Sequence, residues 1–134
     1  MPHDVSHESN GLGVVITLSG VIEADEIYKI DLQLKSDELY LQQRYQIWDF
    51  SNAEELNISF DDIRDFAIQD GIAACKNPNQ RIALIPRKSS HSDLDQMFHI
   101  LEGVWSPNES KTFWDVDTAR EWAKSGQKPD NRDT

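Results

Sequence analysis

The sequence predicts an α/β domain, and two observations carry that prediction. Short apolar runs at Gly13–Leu18, Tyr45–Asp49 and Arg81–Pro86 have the form of strands, the first continuous and β-branched as expected of a strand buried on both faces. Between them lie segments whose apolar residues recur at helical spacing, as expected of parallel strands joined by crossover helices. The length, 134 residues, suits a single domain rather than two. The expectation is one domain over residues 1–126, with 127–134 as a disordered tail that holds no apolar residue and carries Pro129.

Taken in order, Val5–Glu8 reads as an antiparallel edge partner for Gly13–Leu18, with Gly11 and Gly13 at the turn. Ile27, Ile30 and Leu34 then give the apolar stripe of a helix at Ala24–Lys35, and Asp25 and Glu26 favour its positive end. Ser36–Gln43 is open between loop and helical turn. Tyr45–Asp49 is the next strand, and Phe50–Asn57 reads as a polar loop. Ser59-Phe-Asp-Asp62 has the form of a capping box with Asp where Glu is usual, opening a helix striped by Ile63, Phe66, Ala67 and Ala74. Asn77-Pro78 stops that helix before the strand Arg81–Pro86. A further helix opens at Ser92 and shows Leu94, Met97, Phe98 and Leu101 on one face. Lys111–Trp114 reads as a short strand, and Asp117 as the cap of a last helix presenting Ala119, Trp122 and Ala123.

Charge excludes some functions. Residues 1–67 hold fourteen Asp/Glu against four Lys/Arg, the rest hold ten against nine, and the net charge is −11. Nucleic acid and anionic membrane surfaces call for clustered cations and are not expected partners. No apolar run approaches the ~20 residues of a membrane span, and the charged amino terminus lacks the apolar stretch of a signal peptide. The expected location is cytoplasmic. A single Cys75 excludes an internal disulfide and a cysteine-based zinc site, and His3, His7, His91 and His99 form no metal-ligand spacing. No catalytic constellation assembles, so the sequence points to no catalytic residue, no metal and no cofactor.

The order of elements, Asp49-Phe-Ser51, Leu56–Ile63, the strand Arg81–Ile85 after Asn77-Pro78, and the Ala119–Trp122 helix together resemble the SpoIIAA-like proteins. These are small bacterial domains akin to STAS domains, the sulphate transporter and anti-sigma factor antagonist fold, and the resemblance covers roughly residues 10–125. It implies a single STAS-type domain with a four- to five-stranded mixed sheet and about four helices. A non-catalytic regulatory or protein-interaction role, with a protein partner or a second copy of the chain, fits the acidic charge and the lack of a catalytic constellation.

The resemblance raises Ser59 as a candidate regulatory serine, because antagonists carry theirs at the start of the helix after the third strand, past an Asp-Leu-Ser. Here Asp49-Phe-Ser51 precedes Ser59, but Asn57-Ile-Ser59-Phe60 lacks the Asp-Ser before and the Gly after. Asp61 and Asp62 would also repel a phosphate. The competing reading makes Ser59 a plain helix cap.

A second candidate is a crevice at the carboxyl edge of the sheet, between Asp49 and Ser51 on one strand and Arg87, Lys88, Ser90 and His91 after the next. There two cations would suit a small anionic ligand or a lipid, while a solvated loop is the plainer account. The third is Trp105, in a Gly/Pro-flanked loop, as an exposed interface anchor.

Overall fold

The computed structural model describes residues 3–74, 77, 80–87 and 109–125. They form a mixed sheet of five strands, β1 His3–Glu8, β2 Gly13–Glu23, β3 Tyr45–Asn57, β4 Arg81–Ile85 and β5 Glu109–Thr112, ordered β1-β2-β3-β4-β5. β1 is antiparallel to β2, and the other pairings are parallel. Three helices are described: α1 Ala24–Ser36, α2 Phe60–Ala74 and α3 Val116–Ser125. The helix expected at Ser92 and the tail at 127–134 fall outside the described residues.

β2, β3 and β4 carry apolar residues toward both faces, so the sheet is covered twice. On one face Val14, Ile16, Leu18, Trp48, Phe50 and Leu84 pack with Ile27, Ile30 and Leu34 of α1 and with Ile63 and Phe66 of α2. On the other, Val15, Tyr45, Ile47, Ala83 and Ile85 meet Ala119 and Ala123 of α3. Burying each such aliphatic side chain is worth about 1.5–3 kcal/mol. The small Ala119 and Ala123, fully buried, let the short α3 lie close on the sheet.

Phe50–Asn57, expected as a polar loop, continues β3. The register runs straight to Thr17↔Asp49 and then shifts twice, between Thr17 and Ser19 and between Gly20 and Val21, each time with one extra residue on β3. Gly20 supplies a left-handed backbone (φ 73) beside the second shift. The bulges turn Phe50, Ala53 and Leu56, three residues apart, onto the α1–α2 core. β2 is lengthened in the same way, to Glu23. The last strand lies at Glu109–Thr112 rather than Lys111–Trp114.

Ser36–Gln43 resolves into a 3₁₀ turn at Glu38–Gln42, whose Leu39 amide is capped by Asp37 Oδ1 at 2.8 Å. Buried Asn77 donates from Nδ2 to the carbonyls of Tyr40 (2.7 Å) and Gln43 (2.8 Å), tying the end of α2 to that turn. Asp115, not Asp117, caps α3. Its Oδ1 accepts from the Thr118 amide at 2.8 Å, and Asp117 instead sits inside the first turn, 3.3 Å from Arg120 Nη1.

Two arginines hold α3 down. Arg81, at the start of β4, donates from Nη1 to the Trp122 carbonyl (2.6 Å) and Ser125 Oγ (2.9 Å), while its guanidinium stands 4.7 Å over the Trp122 ring. A cation at the helix carboxyl end also opposes the helix dipole favourably. Arg120 grips Glu8 with two bonds, Nε to Oε2 at 2.9 Å and Nη2 to Oε1 at 3.1 Å. The same carboxylate accepts from the Tyr45 hydroxyl, which in turn receives Ser9 Oγ at 3.1 Å. Burial raises the pKa of Glu8, but the bonds from Arg120 and Tyr45 outweigh it and leave the carboxyl below its ordinary value.

Gly13 is the neighbour of Tyr45 in register, and a Cβ there would overlap the tyrosine ring. Gly13→Ala is expected to cost about 1–3 kcal/mol or more, as overpacking does, read as a lower urea midpoint with unchanged slope; an unchanged midpoint would refute the close approach. Burial, and after it the hydrogen bond to Glu8, pushes the Tyr45 hydroxyl up to about 12. The unfolded chain ionises it near pH 10, so its stabilising effect is complete below pH 10 and is lost as the pH rises to about 12. Stability measured between those pH values should fall less steeply in Tyr45→Phe than in the parent chain; parallel curves would contradict this assignment.

Candidate functional site

The parallel strands β2 and β3 end in register at Glu23 and Asn57; α1 begins directly after β2, and α2 after only Ile58 and Ser59. Their starting turns therefore lie side by side at the carboxyl edge of the sheet, where open α/β sheets present ligand and partner sites. Asn57 Nδ2 bridges to Glu23, 3.1 Å from Oε2 and 3.4 Å from Oε1, and so couples the two strand ends. Glu23 takes up this bond instead of capping α1.

Ser59 and Asp62 form the reciprocal capping box. The Asp62 amide donates to Ser59 Oγ at 3.1 Å, and the Ser59 amide donates to Asp62 Oδ2 at 3.0 Å. Aspartate is one methylene shorter than the usual glutamate and still reaches back across the turn. Ser59 is solvent-exposed. Asp61, next along, pairs with Arg64 at 2.7 Å on the open surface.

Beside this cap lies an open depression of about 520 Å³ lined by Glu23, Ala24, Asp25, Glu26, Lys29, Asn57 and Asp62. Four carboxylates face one ammonium group, so the depression carries negative charge. Glu26, buried, accepts from His3 Nδ1 at 2.7 Å, which ties β1 to the first turn of α1. Asp62 thus belongs both to the cap of Ser59 and to the wall of the depression. Sequence reasoning missed this arrangement, although its signal was present as acids in the first turns of two helices that each follow a parallel strand.

The crevice residues are brought together in part. Asp49 pairs in register with Ile85, which places Arg87 two residues further along the neighbouring strand's path. Asp49 is buried, and its Oδ1 accepts from the Ser51 amide at 2.9 Å, closing the first bulge. Arg87, also buried, donates from Nη1 to the Glu54 carbonyl at 2.7 Å. Glu54 is the extra residue of the second bulge, so the guanidinium serves a carbonyl that the ladder leaves over. Lys88, Ser90, His91 and Trp105 lie outside the described residues. Among the described residues no three His, Cys, Asp or Glu side chains gather closely enough to hold a metal ion, and no helix is long and apolar enough to cross a membrane.

No family model and no curated protein matches this chain. Solved structures do match it. The anti-sigma factor antagonist SpoIIAA in its unphosphorylated form superposes with a TM-score of 0.63 at 11% identity, over 92% of this chain and 98% of that one. An uncharacterized protein of the DUF3478 family from Shewanella loihica PV-4, described as having a SpoIIAA-like fold, gives 0.55 at 14% identity, over 90% of this chain and 91% of that one. The chain has a SpoIIAA-like, STAS-type fold.

Ser59→Ala removes the acceptor for the Asp62 amide and should cost about 0.5–2 kcal/mol in chemical unfolding, while Ser59→Asp, itself a good cap, should recover most of that loss. Equal destabilisation by both substitutions would show that the hydroxyl does more than cap.

Proposed function

We propose that this chain is a non-catalytic regulatory or protein-interaction domain of the cytoplasm. Its partner is another protein or a second copy of the chain, and it recognises that partner through the edge where α1 and α2 begin. The observation that carries the reading is the juxtaposition of an exposed, capping Ser59 with the acidic depression in a SpoIIAA-like fold. A protein surface of that charge suits a cationic face on the partner. The domain works without catalytic residues, metal or cofactor, and interaction rather than turnover is its output.

Within this reading Ser59 keeps the helix start rigid and is not the acceptor of a kinase. Its hydroxyl is engaged with the Asp62 amide, and Asp61 and Asp62 already supply the negative charge that a phosphate would bring. Mass spectrometry of the protein recovered from cells is expected to find Ser59 unmodified. Phosphorylated Ser59 at substantial occupancy would replace the cap-only role with a phosphorylation switch.

The competing reading is a small anionic ligand or a lipid held between Asp49, Ser51, Arg87, Lys88, Ser90 and His91. An anion bound there has to compete with the Glu54 carbonyl for Arg87. A thermal-shift screen against nucleotides, inorganic anions and lipids separates the two. Ligand present at a hundred times its dissociation constant adds about 2.7 kcal/mol, a shift of several degrees for a domain of this size. The expected outcome is no shift across the panel; a concentration-dependent rise with one class would favour the crevice over the protein-interaction reading.

A further inference from the structure

We draw no further inference here: the strongest candidate, the apolar groove between the 3₁₀ turn and α2 where Leu41 and Ile72 lie exposed beside Lys35, Tyr40 and Gln69, carries nothing because nothing in the structure shows what covers it.

Discussion

The parallel ladder between β2 and β3 is the constraint on which the rest of the molecule depends. Its rungs from Gly13↔Tyr45 to Glu23↔Asn57 cross two register shifts, and the last rung sets where both crossover helices begin. A strand that slips by one residue turns every side chain to the wrong face. The two extra residues on β3 avoid that outcome by keeping Phe50, Ala53 and Leu56 inward on a three-residue spacing. Side chains then secure each irregularity: Asp49 holds the Ser51 amide at the first, and Arg87 holds the Glu54 carbonyl at the second. Buried polar backbone groups left without partners would cost more than the bulges themselves.

The same ladder explains the electrostatics of the candidate site. Parallel neighbours deliver two helix amino termini to one edge of the sheet, and each terminus favours acids in its first turn. Asp25 and Glu26 answer the dipole of α1, Asp61 and Asp62 that of α2. The acidity of the depression is thus first a consequence of helix stability and only then a recognition feature. Lys29, one turn further along α1, sits on its wall and offsets a part of that charge.

Much of this was legible in the sequence because the signals were local. The β-branched run of Gly13–Leu18, the helical spacing of Ile27, Ile30 and Leu34, and the Ser59–Asp62 pair each act within a few residues of themselves, and each appears where its pattern places it. The extension of β3 was not legible, since its two bulges break the alternation and leave a stretch that resembles a polar loop. The cap of α3 lies at Asp115 rather than Asp117, because two aspartates two residues apart are both suitable caps and only the backbone decides between them. The contacts of Glu8, Tyr45 and Arg120 were invisible for a different reason: their sequence separation reaches 112 residues, and nothing in the composition of either end announces the other. The adjacency of β3 and β4 was legible in their apolar runs, but not Arg87's choice of a main-chain partner.

That long-range bond has a consequence for how the molecule opens. Chain ends ordinarily fray independently, each at its own small free energy. Here the first strand and the last described helix share one carboxylate, and the Tyr45 hydroxyl beneath it is buried at the start of the central strand. Lifting β1 leaves Arg120 without its anion and strips the tyrosine of its acceptor, while lifting α3 leaves the Glu8 carboxylate without its cation. β1 and α3, far apart in sequence, are therefore coupled through Glu8 and anchored at Tyr45 to the central strand, so that opening one weakens the hold on the other.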